Sequence, residues 1–212
     1  DDARPIWLPA ESVLLVLGNS GSGKSNYVTW LTERMIHARQ GFCVIDPEGD
    51  YLSLAGAVTV GGLTVPPTTE DSLHHLLQAR LNVVVSTLAL DPAQRVQLFG
   101  ELLPFIQRLR GTSGRPAWLI VDEAHYMLPH CSVWPQGFLA DMGAVIVALD
   151  FDQVCPALLE GIDVLVTLGS TARELVHRFA TRTQRKVPIF PASSPGLDQV
   201  CVWDLHDAER VV

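Results

Sequence analysis

Residues 18–25 read GNSGSGKS, the pattern G-x-x-x-x-G-K-[ST], set between an apolar run at 13–17 and a stretch with helical periodicity. Its glycines let the backbone curl tightly enough for successive N–H groups to point at one anion. A helix starting at the end of such a loop adds the positive end of its dipole. The pattern therefore predicts a strand, a phosphate-cradling loop and a helix, in that order, around a nucleoside triphosphate. Gly18, Asn19, Ser20, Gly21, Ser22 and Gly23 would line the cradle, with Lys24 on the β- and γ-phosphates. Ser25 would take one position on Mg²⁺, and Asn26 completes the binding segment.

The rest of the chain alternates in the same way. Strand-like runs occur at 12–17, 42–46, 57–60, 82–86, 117–121, 144–149, 163–168 and 199–203. Most are continuously apolar, which predicts strands buried on both faces of a parallel sheet. Helical stretches fall between them at 24–38, 70–80, 92–110, 156–160 and 171–182. In the longest, Val96, Phe99, Leu103, Ile106 and Leu109 form one stripe, Asp91-Pro92 makes a start signal, and Pro104 is expected to kink or split the helix. Residues 111–116 and 188–195 read as loops. The sum is a single doubly wound α/β domain, mainly parallel, with helices on both faces and its ligand at the C-terminal ends of the strands.

Two acidic clusters end strand-like runs. Trp118-Leu119-Ile120-Val121 leads into Asp122 and Glu123, which predicts Asp122 as a Mg²⁺ ligand and Glu123 as the base for an attacking water. Asp46-Pro47-Glu48-Gly49-Asp50 ends the second run, and Asp46 or Glu48 is expected near the metal's outer shell or a polar substrate.

Composition narrows the class. At 212 residues, 48% hydrophobic and 18% charged, the chain suits one well-buried domain. No apolar run approaches the ~18 residues of a membrane span, and no secretory signal is visible. Four scattered cysteines form no C-x-x-C pair, and His74-His75 lacks ligand spacing, so neither a zinc site nor a disulfide framework is expected. A cytoplasmic protein is the expectation, and the missing initial methionine suggests a piece of a longer one. A net charge of −8 argues against indiscriminate coating of nucleic acid. Positive charge concentrates in Arg173, Arg178, Arg182, Arg185 and Lys186, with Glu174 the one acid among them. That segment reads either as a solvated helix face, as a phosphate or DNA contact, or as arginines offered to a neighbouring subunit.

GNSGSGKSN at 18–26, VIDPEGDY at 44–51 and IVDEAHYML at 120–128 together resemble the HerA/FtsK superfamily of P-loop ATPases, most of all its HerA-type branch. The DP-x-G-[DE]-Y block is the discriminating part. The resemblance implies a RecA-like fold of the ASCE type, ATP and Mg²⁺ as ligands, and a hexameric ring that pumps DNA, or occasionally protein, through a central pore, with DNA or a nuclease or processing protein as the expected partner. It also implies Lys24 and Ser25 at phosphate and Mg²⁺, Asp122 at Mg²⁺ and Glu123 as catalytic base. The run Val145-Ile146-Val147-Ala148-Leu149-Asp150 carries no arginine at its end, which leaves Asp150 or Gln153 for the γ-phosphate sensor. Arg173, Arg178 and Arg182 are the candidates for a charge-neutralising arginine acting across subunits. The letters DEAH at 122–125 also occur in two-lobed helicases, but this chain has length for one lobe, and His125 is read as coincidental or as a helix-start contact. A nucleotide-gated switch or assembly ATPase, and a P-loop small-molecule kinase, remain as alternatives.

Overall fold

The computed structural model describes residues 9, 11–78, 82–115, 117–129, 137–139, 142–190, 200–206 and 211. In chain order these form β1 (Val13–Leu17), α1 (Lys24–His37), β2 (Phe42–Asp46), β3 (Ala57–Val60), α2 (Thr69–Leu77), β4 (Asn82–Ser86) and α3 (Pro92–Ser113). Then come β5 (Trp118–Val121), β6 (Gly143–Ala148), α4 (Pro156–Leu159), β7 (Val164–Leu168), α5 (Ala172–Arg182) and β8 (Val200–Asp204).

The strands build one 8-stranded sheet in the order β3-β4-β2-β5-β6-β1-β7-β8. Every neighbouring pair is parallel except β7 with β8. β6 separates the loop-bearing β1 from the acid-bearing β5, with Leu15 level with Ile146 and Ile120 level with Val145. This is the ASCE arrangement, and it sets the phosphate loop and the acid pair one strand apart on the same edge.

Continuous apolar runs become central strands because both faces are covered. Val13, Leu15 and Leu17 look into a large core shared with α2, α3, α4 and α5, whereas Leu14 and Val16 look into a smaller one under Val28 and Met35 of α1. Four described helices thus cover one face and α1 the other. β8 differs from the inner strands: alternate residues are buried, as expected of an antiparallel edge strand with one face partly open. Residue 199, included in the expected run, lies outside the described residues, as do residues 79–80 of the expected second helix and 191–195 of the expected loop.

α3 departs from expectation at two points. It runs unbroken through Pro104 and extends to Ser113, taking in three residues read as loop, before Gly114 closes it at φ 70°. Pro104 is exposed and the residue one turn earlier is the exposed Gly100, so the carbonyl that loses its donor faces water. The buried stripe is also wider than expected: Leu98 and Leu102 join Phe99, Leu103 and Ile106, while Val96 is half-buried. The start is built as the sequence implied, with Asp91 accepting from Gln94 N at 2.8 Å and the Gln94 side chain accepting from Asp91 N at 3.0 Å.

Under β7 and β8, Phe179 meets Phe151 and Trp203 edge-to-face at 5.6 and 6.3 Å between ring centroids. All three rings are buried. Phe179→Ala is expected to lower unfolding stability by about 3–5 kcal/mol, measured by chemical denaturation. A loss below 1 kcal/mol would mean that α5 is not anchored through this cluster.

Candidate nucleotide-binding site

β1 ends in the sheet centre and the chain must turn at once into α1. It does so through Gly21 at φ 76° and Gly23 at φ 91°, left-handed conformations that side chains resist. At Gly18 space rather than φ is decisive, because a Cβ there would lie 2.4 Å from Ser22 Oγ and 2.9 Å from the Leu168 carbonyl oxygen. The loop after β7 leans on the phosphate loop in the same way: a Cβ on Gly169 would lie 3.0 Å from that of Ser22.

Lys24 is buried in the first turn of α1. Its ammonium donates to the Gly18 carbonyl at 3.0 Å and the Asn19 carbonyl at 3.5 Å, and lies 3.5 Å from Glu123 Oε1. The two residues assigned to phosphate and to water activation are therefore side by side, although 99 positions separate them in the chain.

Ser25 donates its hydroxyl proton to Asp50 Oδ2 at 2.5 Å. Asp50 is held there by Asp46, whose fully buried carboxylate accepts from Gly49 N at 2.8 Å, Asp50 N at 3.2 Å and Tyr51 N at 3.1 Å. Burial raises the Asp46 pKa, and the three N–H donors pull it back. Asp46 thus shapes the loop and Asp50 is the acid that the loop delivers to Ser25; Glu48 points into solvent. Asp50 was missing from the sequence-based site residues. Its signal was the acidic position of the DP-x-G-[DE]-Y block itself.

Asp122 follows β5, with its N–H on the Ile45 carbonyl at 3.1 Å, and is 2% exposed. Burial first, then the charge of Glu123, push its pKa up to about 7, with Asp46 and Asp50 adding to the rise and the Glu123 N–H opposing it. Glu123 takes φ 38° and ψ 57°, a left-handed conformation that costs a non-glycine residue on the order of 1 kcal/mol or more. That twist turns its buried carboxylate back toward Lys24, while Oε2 lies 3.4 Å from His125 Nδ1. His125, read from sequence as coincidental or as a helix-start contact, stands in the short helical turn Ala124–Tyr126 and is a neighbour of the candidate base.

Past β6, Asp150 caps a short turn by accepting from Asp152 N at 3.0 Å and pairs with Arg178 at 2.6 and 3.2 Å. Arg178 also reaches Asp152 at 2.7 Å and lies over the Phe151 ring. Gln153 and Arg182 are exposed, and Arg173 stacks over Phe190. None of these is among the contacts of Lys24, Ser25, Asp122 or Glu123 described above.

The donors fit the expected ligands. Ser25, Asp50 and Asp122 offer hard oxygens, the chemistry of Mg²⁺, while the loop amides and Lys24 suit phosphate. Among the described residues no three His, Cys, Asp or Glu side chains converge as a closed metal cage. A Mg²⁺ site of this kind needs none, because Mg²⁺ keeps waters and substrate oxygens in its shell.

A mainly parallel sheet with a glycine loop on one strand and a buried acid pair two strands away defines a P-loop nucleoside triphosphatase. Residues 10–112 match the family model described as helicase HerA, central domain. That stretch, just under half of the chain, is similar to the HerA central domain and carries the phosphate loop and the acidic loop after β2. No curated protein matches it. Among solved structures it is similar to the genome packaging NTPase B204 from Sulfolobus turreted icosahedral virus 2 in complex with AMPPCP, with TM-score 0.67 and 14% identity over 94% of this chain and 95% of that one. VirB4 of Thermoanaerobacter pseudethanolicus follows at TM-score 0.57 and 14% identity, covering 83% and 85%. At such identities the likeness is one of fold.

The raised Asp122 pKa ties stability to pH. The unfolded carboxyl releases its proton near 3.8 and the folded one near 7, so the contribution is full below the lower value and is lost as pH rises through the upper one. Nucleotide-free protein is expected to melt at a lower temperature at about pH 8 than at about pH 5.5, by a margin that Asp122→Asn removes. Calorimetry of both proteins at both pH values checks this, and an equal margin in the variant would reassign the titration.

Proposed function

We propose that this chain is the motor domain of an ATP-hydrolysing machine that works as a homo-oligomeric ring, hexameric by family resemblance, and couples hydrolysis to movement of DNA. The observation that carries the reading is the meeting of Lys24 and Glu123 across the mouth of the phosphate loop, beside Ser25 and Asp122. The loop amides and Lys24 bind the triphosphate and take up charge as the terminal phosphoryl group is cut away. Ser25 and Asp122 would hold Mg²⁺, which would neutralise phosphate charge. Glu123, released from Lys24 as the ammonium turns to phosphate, orients a water and accepts its proton. The water oxygen bonds to the γ-phosphorus as the bond to the β–γ bridging oxygen breaks.

Support for DNA as the cargo comes from the HerA central-domain match and from the named roles of similar structures, one of them a DNA-packaging ATPase. With a net charge of −8, DNA contact belongs on a restricted surface inside a ring. Arg182 and Lys186 are exposed basic side chains available to a neighbouring subunit or to DNA. We place the machine in the cytoplasm with a nuclease or other processing partner; among the described residues no helix is long and apolar enough to cross a membrane.

Hydrolysis measured with and without duplex DNA, beside a solution mass with ATP, tests the reading. DNA-stimulated turnover and ATP-dependent assembly are expected. Slow turnover indifferent to DNA would favour a nucleotide-gated switch instead, and turnover only with a hydroxyl acceptor would favour a kinase. Glu123→Gln is expected to bind ATP with turnover reduced about 10²–10⁴-fold. Turnover at the parent rate would place the base elsewhere.

A further inference from the structure

Tyr51 ends the VIDPEGDY block and is 1% exposed. It belongs to the buried apolar cluster beneath α1 that also holds Leu14, Val16, Val28, Val44 and Ile120. Its hydroxyl is buried and makes no well-directed hydrogen bond. That is unfavourable, because a buried hydroxyl without a partner forgoes its bonds to water. The groups around it are those of the candidate metal site: Ser25 lies beside it, and the charges that act on it are those of Asp122, Asp50 and Asp46. The backbone of Tyr51 is fixed by its N–H on Asp46, and Ser25 is itself engaged with Asp50, so hydroxyl, serine and two acids converge from three separate segments.

We propose that Tyr51 is a positioning residue of the Mg²⁺ site, its hydroxyl oxygen accepting from a water in the hydration shell of the ion that Ser25 and Asp122 would hold. This rests on the nucleotide-binding reading above. It gives the buried phenol its missing partner, and it gives the tyrosine of the block a role that ring packing does not supply. Waters bound to the cation turn their protons outward and need acceptors, and the phenol oxygen offers one.

Tyr51→Phe tests it, because the ring stays and only the hydroxyl goes. A fluorescent non-hydrolysable ATP analogue is titrated into parent and variant, each with Mg²⁺ and with chelator. In the parent, Mg²⁺ should tighten binding. In the variant that tightening should fall about threefold to tenfold while chelator affinity is unchanged. The nucleotide-free variant should melt at or above the parent temperature, because an unpartnered hydroxyl has been removed. Equal Mg²⁺ tightening in both proteins overturns the proposal while leaving the functional reading intact. A parent that binds equally with and without Mg²⁺ overturns both. A variant that melts well below the parent shows that the hydroxyl holds the fold together, and overturns the proposal on that ground.

Discussion

One ammonium faces a group of carboxylates, and the site depends on that imbalance. Lys24 sits between loop carbonyls and Glu123, while Asp46, Asp50 and Asp122 crowd the adjoining space, two of them buried. Low dielectric makes each like-charge contact expensive, and the Asp122 carboxyl answers by holding its proton to about 7. On the proposed reading, a triphosphate with a divalent cation would resolve the same conflict differently, the phosphate taking the ammonium and the cation the acids, whereas a bare anion would leave the acids uncompensated.

The sheet makes that crowding possible. Parallel register sets the ends of β1, β2 and β5 on one edge, and the capped loop after β2 brings Asp50 against α1. Asp46 carries out the capping from inside the protein, accepting three backbone N–H groups that would otherwise be stranded. The strained backbone at Glu123 belongs to the same construction. At φ 38° its carboxylate faces Lys24 and His125.

Much of the fold was legible because its signals are local. Unbroken apolar runs marked the inner strands, Asp91-Pro92 marked the start of α3, and the glycine pattern marked the turn between β1 and α1. Local reasoning failed where solvent or distance entered. Pro104 was expected to kink or split α3; it faces water one turn after a glycine, and the helix is not split there. β8 was read like the other strands, and its antiparallel edge position follows only from its pairing with β7.

Sequence alone determined the chemistry at hand: a phosphate loop ending in Lys24 and Ser25, and a strand ending in Asp122 and Glu123, each a contiguous motif whose geometry follows from its own residues. Tertiary structure decided who meets whom. That Ser25 gives its proton to Asp50, that Tyr51 turns a buried hydroxyl toward the same acids, that His125 stands by Glu123, and that Arg178 is tied to Asp150 are facts of strand register and loop closure. Such pairings act through space over a few ångströms between segments far apart in the chain, and no one-dimensional pattern carries that distance.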